Sequence, residues 1–197
     1  MSQKHEQTTR EFLSWIVGNL LGWIFISALL ITLPILKSIP SFVAPLLILT
    51  IPFGLAQWLA LRRFVPLTLL WVFTILIGWL LSYLIFAAIP ESLWQIVDDE
   101  ATATLTFMLT VVGAAMGLPQ WLILRRKLTK AVLWILGSSL GMGLGFGLVL
   151  ATDLINQSEF ISYTVVVLVY GIATGSTLSW LLNRGTQTHN QRSSATW

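Results

Sequence analysis

Two stretches of the sequence set an amide, an indole and a pair of guanidinium groups at a fixed spacing. They are Gly54-Leu55-Ala56-Gln57-Trp58-Leu59-Ala60-Leu61-Arg62-Arg63 and Gly117-Leu118-Pro119-Gln120-Trp121-Leu122-Ile123-Leu124-Arg125-Arg126. A third stretch, Ser176 to Arg184, keeps Trp180 four residues before Arg184 but carries Ser179 where the others have glutamine. Residues four apart lie on one helix face, so each tryptophan sits one turn from its arginine. At a lipid boundary this is an anchoring device. The indole prefers the headgroup layer, and the guanidinium reaches phosphates and faces the negative end of the helix dipole. The tryptophans are therefore expected to form an interfacial belt. Gln57 and Gln120 fall one turn further in, where an amide wants a partner. An interhelical hydrogen bond, of about 0.6–2 kcal/mol, is the plainer expectation; a ligand to a polar headgroup or a pigment metal is the sharper one.

Other chemistry is scarce. There is no cysteine, so no disulfide, thiolate metal site or cysteine nucleophile is available. The two histidines, His5 and His189, fall in polar tails. Ser138, Ser139, Ser176 and Ser179 lie near glycines but have no histidine or lysine to serve as base. No phosphate-binding loop, dinucleotide fingerprint or membrane metalloprotease motif occurs. Asp98, Asp99 and Glu100 read as part of a solvated acidic loop rather than a divalent-cation site. No catalytic constellation, cofactor site or metal site is expected, and the chain reads as a non-enzyme.

These residues must be held by elements suited to lipid. Hydrophobic residues make up 56% of the 197 and charged residues only 10%, against about 25% charged in a soluble domain. Uncharged runs occupy Phe12–Leu36, Ser38–Leu61, Phe64–Pro90, Ala101–Leu124, Ala131–Thr152 and Phe160–Asn183, each 22 residues or longer. About 20 apolar residues cross the hydrocarbon layer as a helix, and backbone groups in lipid must bond internally. The expected fold is all-α, a polytopic membrane protein with six transmembrane helices. The first run is too long for a signal-peptide core of about 7–15 residues and reads as a retained span.

Charge sets the direction. Ten of the eleven basic residues lie in the N-terminal tail, the second and fourth connections and the C-terminal tail; the other side holds only Lys37 with six acids. Basic residues stay on the cytoplasmic side, so both termini are expected there. The net charge of +3 thus reflects orientation and contact with anionic lipid headgroups, not nucleic-acid binding.

The spans also repeat. Trp15, Trp71 and Trp134 begin the odd spans and are followed seven residues later by Gly22, Gly78 and Gly141. One helical hairpin copied three times explains this, giving a single membrane domain over 1–197 with hairpins at about 11–63, 64–127 and 128–184 and polar, mobile tails at 1–10 and 185–197. The copies share an orientation, unlike the inverted repeats of many transporters. Small residues form packing stripes: Gly18 and Gly22; Gly78; Gly113 and Gly117; Gly137, Gly141 and Gly145; Gly171 and Gly175. Pro52 interrupts the second span, where it removes one backbone bond. No ionisable residue lies mid-span, so proton-coupled transport has little support.

The ending carried by Gln57-Trp58-Leu59 and Gln120-Trp121-Leu122 resembles a group of small multi-pass membrane proteins from cyanobacteria and some other bacteria. That resemblance implies a bacterial inner or thylakoid membrane and brings no activity; Ser179 departs from its pattern. The residues themselves lead to an accessory, scaffold or assembly protein that meets other membrane proteins, or a second copy, through glycine-rich helix faces. A small-solute or ion transporter, and a lipid- or pigment-binding protein, are the alternatives.

Overall fold

The computed structural model describes residues 2–32, 43–62, 69–89 and 101–194. Among them all regular structure is helical: α1 (Ser2–Thr32), α2 (Val43–Leu61), α3 (Trp71–Ala87), α4 (Ala101–Leu124), α5 (Leu133–Ala151), the single turn α6 (Leu154–Gln157) and α7 (Glu159–Ser194). Four of these helices contain stretches long and apolar enough to cross a membrane: Thr8–Leu29, Thr102–Leu124, Leu133–Ala151 and Glu159–Asn183. This suggests an integral membrane protein. Two further apolar stretches, Thr50–Leu61 and Trp71–Ala87, are shorter. The remainder of the expected second and third spans falls partly in 33–42 and 63–68, outside the described residues, as does the acidic connection at 91–100.

The polarity of the packing is that of a protein dissolved in hydrocarbon. Leu21, Leu84, Leu140 and Leu144 face outward, Leu144 being 61% exposed, while Asn19, Gln57, Gln120, Ser138 and Thr174 are completely buried. Lipid offers apolar side chains as good a solvent as the interior does, so helix association rests on close packing and interhelical hydrogen bonds.

The helices form a closed ring. α1 packs on α2, α2 on α3, α3 on α4, α4 on α5, α5 on α7, and α7 returns to α1. Glycines occur in each of these seams. A Cβ on Gly18 would stand 2.7 Å from the Ala60 Cβ across the α1–α2 seam, and one on Gly54 would meet the Val72 carbonyl between α2 and α3. On Gly78 it would stand 2.5 Å from the Met116 Cα, and on Gly113 it would strike the Ser138 carbonyl on α5. Gly141 and Gly145 pack against Tyr170 and Val166 of α7, and Gly175 against Trp15 of α1. These glycine faces thus pack against helices of the same chain.

α1 begins at Ser2 and α7 runs to Ser194, so helix extends into both polar end segments. Once a span is helical, adding residues to its end avoids the cost of nucleation. At the junction with the ring, the Thr8 hydroxyl donates to Asn183 Oδ1 at 3.2 Å, tying α1 to α7. Between α5 and α7 the chain turns through Asp153, whose φ of 56° is left-handed; its carboxylate accepts from Asn156 Nδ2 at 2.7 Å.

Gly78→Leu is expected to force α3 and α4 apart and to cost about 1–3 kcal/mol, the range for overpacking. Gly171→Ala, whose nearest neighbours would stand 3.8 Å away, is expected to be near neutral. Midpoints of denaturation of the purified variants in detergent check the contrast.

Candidate functional site

The expected amides do meet at the centre of the ring, with partners drawn from four helices. Trp134 Nε1 on α5 donates to Gln120 Oε1 on α4 at 2.8 Å. Gln120 Nε2 donates to Gln57 Oε1 on α2 at 3.3 Å, and Gln57 Nε2 donates to Asn19 Oδ1 on α1 at 2.9 Å. Asn19 Nδ2 ends the chain on the Trp15 carbonyl at 2.8 Å. A second link closes the ring on its other side: Trp15 Nε1 donates to Thr174 Oγ1 on α7 at 2.8 Å, and that hydroxyl donates to the Tyr170 carbonyl at 2.6 Å. Each bond is modest on its own, but a buried amide stripped of its partner costs about 1–3 kcal/mol, so the members hold one another in place.

Beside this chain stand three indoles. Trp15 and Trp134 have ring centroids 5.5 Å apart, Trp71 and Trp134 6.0 Å, and Trp15 and Trp71 6.4 Å, all edge to face. This is the geometry that ring quadrupoles favour. All three are 0% exposed and share a core with Leu61, Leu124, Ala131 and Leu178. The expected belt is therefore corrected for Trp15, Trp71 and Trp134: they fill the inside of the ring. Helical geometry explains the difference, since a tryptophan at a span end reaches the headgroups only if its helix face points outward, and these faces point at one another.

No family model matches this chain, and neither a curated protein nor a solved structure does. What the site can do must come from its own geometry.

Gln57 and Gln120 are fully buried and each amide group is already bonded on both its oxygen and its nitrogen. They are not presented to a headgroup or a pigment metal. The rim residues behave differently. The Arg62 guanidinium lies 5.0 Å over the Trp58 ring and that of Arg125 5.0 Å over Trp121. Such cation–π contacts contribute about 0.5–1 kcal/mol where solvent reaches them. Over Trp180 it is Lys130, from the turn before α5, that stands 6.0 Å from the ring centroid. Arg126 is exposed at the end of α4. Arg63 and the side chain of Arg184 lie outside the described residues. Ser179 is buried, yet its hydroxyl makes no hydrogen bond and does not join the chain.

The bonding of the three indoles is asymmetric. Trp134 finds Gln120 and Trp15 finds Thr174, but Trp71 Nε1 has no partner. The Ser138 and Tyr170 hydroxyls are likewise buried without a bond of normal geometry. Thr174 carried no signal in the sequence, because one threonine among many becomes a partner only through the return of α7 to α1. Asn19 did carry one, as an amide well inside the first span.

Among the described residues no group of three or more His, Asp or Glu side chains gathers in a way that would hold a metal.

Two outcomes follow from this geometry. Gln57→Leu strands Asn19 Oδ1 and Gln120 Nε2 and is expected to destabilise the protein by about 1–3 kcal/mol. The Asn19→Leu/Gln57→Leu double variant is expected to lose less than the sum of its singles; additive losses would show that the bond between them carries no coupling. Bromine-labelled lipids are expected to quench the fluorescence of a variant keeping only Trp58 and Trp121 far more strongly than one keeping only Trp15, Trp71 and Trp134.

Proposed function

We propose that the chain is a non-enzymatic accessory or scaffold protein of a bacterial inner or thylakoid membrane. In this reading it has six spans arranged as three parallel hairpin repeats, with both termini in the cytoplasm. The observation that supports it is the filled centre of the ring: three stacked-edge tryptophans beside a hydrogen-bonded amide chain. A pathway for solute needs polar groups offered to that solute, whereas these are consumed by one another. A catalytic centre needs an activated nucleophile or a general base, and the side chains joined in this chain are amides, indoles and a hydroxyl.

Contact with a partner is assigned to the outward leucine-rich faces, such as Leu136, Leu140 and Leu144 on α5, which share one side of the helix. Apolar side chains on that scale form van der Waals contacts with a partner helix that replace those with lipid, a small net gain over a large area.

The test is gentle extraction of the tagged protein from native membranes followed by native mass measurement. A stoichiometric second membrane protein, lost on replacing Leu136, Leu140 and Leu144 by alanine, is the expected result. A lone monomer that moves a solute or ion across liposome membranes would overturn the reading in favour of a transporter.

A further inference from the structure

On the outside of the ring, the α1–α2 seam is concave. A groove of about 700 Å³ runs along it, floored by Gly18, Gly22 and Ala56 and walled by Phe25 and Leu55. At one end the groove shares Ser14 and Val17 with a shallow depression along α1 that is also lined by Thr9, Glu6 and Arg10. The two backbones approach closely there: a Cβ on Gly22 would stand 3.2 Å from the Phe53 Cα. The stretch of α1 from Ser14 to Ala28 is about 21 Å long, more than one leaflet of a hydrocarbon core of about 30 Å. The mouth is polar and carries both signs of charge, with Glu6 and Arg10 exposed one helical turn apart on the same face.

We infer that this groove binds one phospholipid with a zwitterionic, amine-bearing headgroup, of the phosphatidylethanolamine type. The shape and the charges each contribute to the choice. A single apolar strip closed at one end by charge matches an amphiphile, whereas a partner helix would find charge at one end of its contact and nothing to complement it. The Arg10 guanidinium offers paired donors to a phosphate, and the Glu6 carboxylate accepts from an ammonium. An anionic headgroup without an amine would satisfy Arg10 and be repelled by Glu6. The acyl chain then lies along Val17, Gly18 and Gly22 towards Phe25. The inference requires that the chain lie in a membrane with its arginine-bearing end at a headgroup layer; it is independent of any protein partner.

The full-length protein, delipidated in detergent, is titrated with phosphatidylethanolamine or phosphatidylglycerol and followed by native mass spectrometry. One phosphatidylethanolamine per chain is expected, held about tenfold more tightly than phosphatidylglycerol, the worth of one charge-assisted hydrogen bond. Glu6→Gln is expected to abolish that preference, and Arg10→Gln to weaken both lipids. Val17→Trp, which adds bulk at an exposed position lining both the groove and the depression, is expected to block binding while leaving the denaturation midpoint unchanged. Equal binding of both lipids, unaltered by Glu6→Gln and Arg10→Gln, would overturn the inference and leave only non-selective boundary lipid. A dimer that Val17→Trp splits would also overturn it, because a second copy would then occupy the groove.

Discussion

A primary amide surrounded by hydrocarbon has two donors and two acceptor lone pairs and no water to satisfy them. The ring depends on how this chain meets that constraint. Gln57, Gln120 and Asn19 come from three helices and can be satisfied together only if those helices stand at one register and one rotation. The side chains then act as a pin through the bundle: they add little net energy per bond, and they make most other arrangements costly. Trp134 and Trp15 extend the pin to α5 and α7, so that five of the six long helices are linked by side-chain hydrogen bonds near the centre.

α3 is the exception, and it shows what else holds the ring. Its Trp71 donates to nothing, yet the indole is as deeply buried as the other two. Shape is what retains it, through the edge contacts with Trp15 and Trp134 and the close approach of Gly78 to Met116. Glycine permits that approach, and the resulting van der Waals contact takes the part that water exclusion plays in a soluble core. Polar bonding and backbone proximity are therefore complementary: one sets the register of the helices, the other draws them together.

At the rim the same residue type does a different task. Trp58 and Trp121 are half-buried, each beneath the guanidinium of the arginine one turn on. The motif that links glutamine, tryptophan and arginine in sequence is thus split in space. Its glutamine turns to the centre of the ring, while its tryptophan and arginine stack on each other. The outer surface is left to Leu-rich faces and to the groove between α1 and α2.

Composition and spacing alone determined that the protein is helical, that it is matched to lipid, and that Gln57 and Gln120 need partners, because those properties follow from transfer energies and the 3.6-residue period and require no knowledge of neighbours. They also marked the glycines as points of close packing. Which surface each glycine meets, and that those surfaces belong to the same chain, depended on the return of α7 to α1, a relation between residues more than 150 positions apart, as in the bond of Trp15 to Thr174. The fate of the tryptophans was decided the same way. An indole near a span end is equally suited to the headgroup layer and to a packed interior, and only the rotation of each helix within the closed ring selects between them.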